Sequence, residues 1–305
     1  MSAPSVLVTG ARGFIGRRLV AELAGRGHRV VAVDLDAGAD GDPTPEGVRA
    51  VAGDVTDPSS WASHLDGIDV VVHSAGIHRA DETAGSPGLT EAVNVGGTRA
   101  VLDAAIERGV GRFTLLSTSK VYGEVGAGGA HEDDEPAPLE LYARTKVEAE
   151  ALCLAAHEAG DVDVAIVRPF SVFGPGQDVR TGYVGALLVA AATGATASLS
   201  GTPATTRDFV HVDLVVDLLV AIVVADRLEH RVWNAGSGVP TELARLAESF
   251  SVAHGAPVGV GYRTPNPGTL ERSHADMSRS FGLLGRREPS LLDELRDTLA
   301  GRSTP

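Results

Sequence analysis

Tyr142 and Lys146 stand four residues apart in the run Tyr142-Ala143-Arg144-Thr145-Lys146. On a helix that spacing puts a phenol and an ammonium on one face. A neighbouring ammonium favours the phenolate and draws the phenol down from its ordinary ~10. Such a phenol serves as a base in one direction and an acid in the other near neutral pH. An exposed helix face carries the same pair by chance, so the pattern needs a partner. One stands upstream in Leu115-Leu116-Ser117-Thr118-Ser119-Lys120-Val121-Tyr122-Gly123, where a strand-like run ends in hydroxyls. A hydroxyl there can bond a substrate oxygen and shuttle its proton; a Ser/Thr-rich loop can equally cap itself.

A second group of residues suits a dinucleotide. Val6-Leu7-Val8-Thr9 runs into Gly10-Ala11-Arg12-Gly13-Phe14-Ile15-Gly16 and then a helix. Glycine at 10, 13 and 16 allows a tight turn, close approach of backbone to a pyrophosphate, and tight helix–strand packing. The helix start offers unpaired N–H groups and the positive dipole end to phosphate. Asp34, ending the next apolar run, suits an adenosine ribose diol and repels a 2′-phosphate, which favours NAD. Arg12 in the glycine loop could meet a 2′-phosphate and keeps NADP open. Asp54, followed by Val55, can cap an adenine amino group or simply cap a helix start. Ser74-Ala75-Gly76 after the fourth run are small enough for backbone to pass close to the cofactor. Asn94 reads as a structural residue, a buried amide tying strands together.

These residues need a scaffold that brings run ends together. Short β-branched runs at Ser5–Thr9, Arg29–Asp34, Val48–Ala52, Val70–His73, Arg112–Ser117 and Val162–Val167 alternate with helical stretches at Gly16–Arg26, Asn94–Arg108 and Tyr142–Ala159. Near-continuously apolar strands separated by helices are buried parallel strands in βαβ units. The fold class is α/β, a doubly wound parallel sheet (Rossmann) with right-handed crossovers and a smaller C-terminal substrate-binding part. Gly123–Pro138, with the acidic run Glu132–Glu135, reads as a surface loop. Past Pro169 the alternation weakens and Pro and Gly recur at 174–176, 201–203 and 266–268. A late strand at Arg231–Trp233 returns to the main sheet. The division is therefore 1–169 plus about 211–237 for the dinucleotide-binding domain, and 170–210 with 238–305 for the substrate-binding part.

Taken together, the Gly10–Gly16 loop, the Thr118/Tyr142/Lys146 set and the later motifs, in this order from Val6 to Asp276, resemble the extended short-chain dehydrogenase/reductases, in their NAD-dependent epimerase/dehydratase branch. The resemblance implies action on a nucleotide-diphosphate sugar. It makes Thr118 the Ser/Thr of the site, with Ser119 a neighbour able to share its role, Tyr142 the acid/base and Lys146 the holder of the nicotinamide ribose. Arg168-Pro169-Phe170-Ser171-Val172-Phe173-Gly174-Pro175-Gly176 is similar to the segment that packs by the nicotinamide, through Pro169, and opens the sugar pocket. Ser171 stands where an Asn is common. Thr206-Arg207-Asp208-Phe209-Val210-His211-Val212-Asp213 resembles a stretch whose arginine, here Arg207, clasps the diphosphate. Arg272 matches a second such arginine. Two guanidinium forks suit a diphosphate, although each could instead serve a surface ion pair.

The resemblance implies hydride chemistry at a sugar carbinol, with an epimerase ahead of a reductase of a nucleotide keto-sugar using external NADH or NADPH. The branch's 4,6-dehydratases carry Asp-Glu after the Thr; Ser119 and Lys120 stand there, which argues against dehydration. A homodimer through helices 94–108 and 142–159 is implied as well.

Composition sets the outer limits. The 305 residues carry 26 basic and 40 acidic side chains, a net charge of −14. That opposes a nucleic-acid binder, whose affinity rests on cations. The lone Cys153 excludes an intrachain disulfide and a multi-cysteine metal site, and the ten histidines lack ligand spacing. No apolar run reaches the ~18–20 residues of a membrane span, and no secretory signal is visible. The expectation is a cytoplasmic protein with no metal.

Overall fold

The computed structural model describes residues 3–38, 45–78, 85–265, 270–285 and 290–301. The Pro/Gly stretch at 266–268 lies outside the described residues. In chain order the first half runs β1 (Val6–Thr9), α1 (Phe14–Gly25), β2 (Val30–Asp34), β3 (Val48–Ala52), β4 (Val70–His73), α2 (Pro87–Glu91), α3 (Thr98–Glu107) and β5 (Arg112–Leu116). The second half runs α4 (Leu141–Ala159), β6 (Asp163–Pro169), β7 (Ser171–Phe173), α5 (Gly182–Thr193), β8 (Ala197–Ser200), β9 (Thr206–His211) and α6 (Val212–Val224). It ends with β10 (Val232–Ala235), β11 (Pro240–Glu242), α7 (Leu243–His254), β12 (Val260–Arg263), α8 (Ser278–Leu284) and α9 (Leu291–Ala300). Among the described residues no helix is long and apolar enough to cross a membrane.

Seven strands form one sheet in the order β10-β6-β5-β4-β1-β2-β3, as the apolar runs require. The pairs from β3 across to β6 are parallel, in register Val6 with Val30 and Val70, and Phe113 with Val164. The central strands β1, β4, β5 and β6 are buried almost throughout, whereas the edge strand β3 buries only Val51. One face of the sheet packs against α3 and α4 around Leu7, Val71, Phe113, Ile166, Leu102 and Cys153. Chain direction reverses across the sheet between β1 and β4. That is the switch point where ligands sit in doubly wound sheets, beyond the carboxyl ends of the strands.

The chain divides into two compact units. Unit 1 comprises Met1–Val121, Glu140–Arg168 and Val216–Trp233; unit 2 comprises Tyr122–Leu139, Pro169–Val215 and Asn234–Pro305. The segment Tyr122–Leu139, read above as a surface loop of the first domain, thus packs with unit 2. Its ties are specific: Ala130 bridges Ala275, the buried Glu132 accepts the Asn234 N–H at 3.0 Å, and the Tyr122 hydroxyl donates to Asn234 Oδ1 at 2.7 Å. Unit 2 holds a three-stranded sheet, β11-β9-β7, and the pair β12-β8. Its core gathers Phe173, Leu187, Phe209, Leu246, Phe250 and Leu295. Asp208 is its polar hub. The buried carboxylate accepts from Ser237 N and Oγ at 2.6 and 2.7 Å, Gly238 N at 2.9 Å and Ala275 N at 3.1 Å. Burial still holds its carboxyl above the usual range.

Candidate active site

The glycine loop joins β1 to α1 at the switch point, and its glycines are there for space. Gly10 has φ +65°, and a Cβ on it would lie 2.6 Å from the backbone N of Ala75. A Cβ on Gly16 would overlap the carbonyl of Gly10, and one on Gly13 would lie 3.1 Å from the same oxygen. Side chains at these places would push apart the loop's own backbone and the segment after β4. Ser74 ties that segment to β1: its hydroxyl donates to Thr9 O at 2.7 Å. Phe14 and Ile15, half-buried, open α1. Asp34 ends β2 with its carboxylate turned to the loop, accepting the Arg12 N–H and the Leu35 N–H, both at 2.8 Å. This glycine loop, helix start and strand-end carboxylate fit a dinucleotide with a free ribose diol. Asp54 accepts from Thr56 N and Oγ1 at 2.8 Å each, the turn-capping alternative; its neighbour Val55 is buried beneath.

The acid/base candidates lie at the carboxyl end of β5 and on the first turns of α4, all within unit 1. Thr118 is buried, and its hydroxyl acts on the half-buried Tyr142 in the direction that favours the phenolate. Lys146, one turn further, is buried. Ser119 is buried too, whereas Lys120 is exposed; its ammonium pairs with Glu140 and lies 5.7 Å from the centre of the Tyr142 ring.

The electrostatics correct one expectation. The phenol of Tyr142 is pushed up to about 12, not drawn down. Lost hydration of the phenolate dominates; the Thr118 hydroxyl opposes it and the nearby Glu140 carboxylate adds to it. Lys146 itself is brought down to about 8 by burial, with the Glu150 carboxylate opposing. In the protein alone this lysine does not prevail over burial of the ring.

Glu150 is a residue that sequence reasoning missed. Buried one turn beyond Lys146, it accepts from Ser117 Oγ and from Arg168 Nη2 and Nε at 2.6 and 3.1 Å. It thereby ties α4 to the ends of β5 and β6, next to Thr118 on one and Pro169 on the other. Its signal was legible: a carboxylate at i+4 from Lys146, on the stripe that α4 buries. His73 was also passed over. Thr9 bonds its Nδ1 at 2.7 Å, and its Nε2 meets Thr98 Oγ1 at 3.1 Å. Because Thr98 donates to Asn94 O at 2.6 Å, it accepts from Nε2–H, which fixes Nε2 as a protonated nitrogen of the ring. Burial, with the Lys146 charge adding, pushes it down to about 3.

Asn94 lies in a π-helical turn at Ala92–Gly97. Its amide accepts from Ile77 N at 2.8 Å and donates to Ile77 O at 2.9 Å and Thr145 Oγ1 at 3.0 Å. It ties the segment after β4 to α4 rather than strand to strand. Cys153 is a buried core thiol, pushed up to about 12 by burial.

In unit 2, Arg207 is buried, donates to Thr206 O and Leu270 O at 2.6 Å each, and stacks on Tyr183 with 5.6 Å to the ring centre. The segment carrying Arg272 pairs with the start of β9 through Thr206 N and Glu271 O at 3.0 Å, so the two arginines share a neighbourhood. Arg272 is exposed, and the carboxylate of Glu124 accepts its backbone N–H. Ser171 is half-buried and opens β7, in register with Phe209.

Comparison with known proteins agrees with this geometry. The family model described as NAD dependent epimerase/dehydratase family matches residues 6–236. A UDP-glucose 4-epimerase of Mycolicibacterium smegmatis is 33% identical over 296 residues, covering 92% of each chain. A dTDP-glucose 4,6-dehydratase of Streptomyces antibioticus is 35% identical over 228 residues, covering 70% of this chain and 68% of that one. The solved Thermus thermophilus UDP-glucose 4-epimerase complex with NAD superposes with a TM-score of 0.89 at 27% identity, covering 99% of this chain and all of that one. With a parallel sheet of this order, a glycine cradle at its switch point and Tyr142 and Lys146 on one face of α4, the chain belongs to the NAD-dependent epimerase/dehydratase family, and NAD is its cofactor.

Proposed function

We propose that this protein is an epimerase of a nucleotide-diphosphate sugar that removes hydride from a sugar carbinol and returns it to the opposite face. The observation that carries the reading is the buried Thr118 at the end of β5 and the buried Lys146 one turn beyond Tyr142 on α4, with the Thr118 hydroxyl favouring the Tyr142 phenolate. NAD, when bound, supplies the hydride acceptor and donor and a positive charge near the phenol. Gly10, Gly13, Gly16 and Asp34 would hold it by pyrophosphate and ribose. Ser74, Ala75, Gly76 and Pro169 would line its path, and Lys146 would fix its nicotinamide ribose.

Within that frame Tyr142 takes the proton of the sugar hydroxyl and later gives it back. Thr118, whose hydroxyl favours the phenolate of Tyr142, holds the same substrate oxygen and steadies the proton in transit. The phenol pushed up to about 12 is a poor base in the protein alone. The cycle therefore waits on positive charge at the site, and free enzyme does not hold a reactive phenolate. Arg207 and Arg272 take the diphosphate, and Ser119 and Ser171 the sugar. Ser119 and Lys120 supply no carboxylate pair for removing water, which favours epimerisation over dehydration. A cytoplasmic homodimer through α3 and α4 belongs to the same reading.

The test is direct. UDP-, dTDP- and GDP-sugars are incubated with purified protein and the products resolved by NMR, alongside the dinucleotide released on denaturation. Epimer formation without net NADH production supports the reading. A 4-keto-6-deoxy product, or turnover only with added NADPH, overturns it. Tyr142→Phe should lower kcat about a thousandfold while NAD stays bound, the range expected for a lost general acid/base.

A further inference from the structure

Of the 26 basic residues in this chain only two are lysines, Lys120 and Lys146, and both stand beside Tyr142. Every other cation is an arginine. Lys146 is buried one turn beyond Tyr142 on α4. Lys120 is different: its side chain is 48% exposed, it leaves the same segment as Thr118, and its ammonium lies 5.7 Å from the centre of the Tyr142 ring. What holds it there is the carboxylate of Glu140, just before α4. An ammonium has three donors, and this ion pair uses one of them. A compact ammonium on a flexible stem can also shift to a new partner, as a forked guanidinium cannot.

We infer that Lys120 reads an anionic substituent on the carbon next to the reacting carbinol, so that the sugar this enzyme takes is a nucleotide-linked uronic acid. The inference rests on the proposed assignment of Tyr142 to the carbinol oxygen and narrows it to a substrate class. The Glu140 carboxylate is the placeholder: it shows that a carboxylate fits against this ammonium, and the partial exposure of both side chains lets an incoming one share or displace it. A carboxylate one carbon from the carbinol lies within the reach of a lysine beside the ring. A hydroxymethyl group in the same position gains no charge-assisted bond. The charged groups acting on Tyr142 are Lys120, over its ring, and Glu140, with Lys146 one turn along α4, so among the described residues Lys120 is a cation both near the phenol and open to solvent.

The placeholder gives the test two opposite signs. kcat/KM is measured for UDP-glucuronate and UDP-glucose with the NAD-loaded full chain. Wild type should favour the uronate at least tenfold. Lys120→Met should abolish that preference through KM, leaving UDP-glucose within about twofold, and Lys120→Arg should restore part of it. Glu140→Gln, which frees the ammonium from its competitor, should widen the preference. Equal losses on both sugars in Lys120→Met, or a wild type without preference, overturn the inference; the first makes Lys120 only a charge acting on the phenol. Calorimetry of both nucleotides on NAD-loaded Tyr142→Phe separates the two levels. If neither binds, the nucleotide-sugar assignment falls and this inference with it. If both bind alike, only the inference falls.

Discussion

A lysine of ordinary pKa beside Tyr142 would be charged up to ~10, but burial leaves Lys146 titrating at about 8. Its charge at neutral pH is maintained against that burial, and the group opposing the loss is Glu150. Replacing Glu150 with Gln keeps the size and an acceptor for Ser117 while removing the negative charge. Lys146 then faces His73 on β4, and Arg168 loses its carboxylate partner. The Lys146 titration must move below 8, so the protonated form is depleted from the alkaline side. We expect Glu150→Gln to lose activity about tenfold more at pH 8.5 than at pH 6.5. The chain's two lysines make the direct measurement simple: 13C-lysine NMR of the cofactor-free protein should show the Lys146 Cε titration displaced to lower pH, with Lys120 unmoved. That Tyr142 and Lys146 share one helix and that Thr118 stands at the end of the neighbouring strand was legible from Tyr-x-x-x-Lys and the strand-end Thr. The electrostatics of these residues were not, because spacing reports proximity but says nothing of lost hydration, which here outweighs proximity at Tyr142.

At the scale of elements, β1, β4, β5 and β6 were legible because a central strand buried on both faces is apolar almost throughout, while β2 and the edge strand β3, which buries only Val51, were legible from their valine-rich runs. β7, β8, β9, β11 and β12 escaped because they are three to six residues long and mix polar with apolar, as Thr206-Arg207-Asp208-Phe209-Val210-His211 does. The π turn at Ala92–Gly97 is equally invisible in the sequence, since one extra residue per turn leaves the apolar stripe nearly intact. Its consequence is local and specific, the aiming of Asn94 at Ile77 and Thr145. The glycine loop shows the reverse case, in which sequence and structure carry the same information. Gly10 has both a left-handed backbone and backbone atoms of Ala75 and Ser74 where a side chain would go. Gly10→Ala must therefore pay for strain and also push β4's loop away from the cradle. We expect a loss of about 2–3 kcal/mol in stability. NAD affinity should fall at least tenfold by calorimetry, while Gly25→Ala, in α1 with open space around it, leaves NAD affinity unchanged and costs no stability.

For the molecule as a whole, two buried bases shape how stability depends on pH. His73 is neutral in the fold and titrates at about 3, against an ordinary 6.5. Between those values the unfolded chain binds a proton that the folded chain refuses, so stability is full above 6.5 and falls as pH drops through the window. At 1.36 kcal/mol per unit the whole shift is worth roughly 5 kcal/mol, of which about 2 is already lost at pH 5, before most carboxylates titrate. Lys146, lowered from 10.5 to about 8, has the same sign at the other end: stability rises as pH climbs from about 8 towards 10.5. A protein with net charge −14 would ordinarily gain from mild acid as its repulsion is relieved. This one should instead weaken. Both tryptophans, Trp61 and Trp233, belong to unit 1 with His73, so their fluorescence reports the unit concerned. Urea unfolding followed that way at pH 7.5 and pH 5 should show wild type losing about 2 kcal/mol. His73→Gln can still accept from Thr9 and donate to Thr98 but does not titrate, so it should lose little over the same interval. Equal losses in the two proteins would assign the acid weakness to the carboxylates and leave the buried imidazole without a part in it.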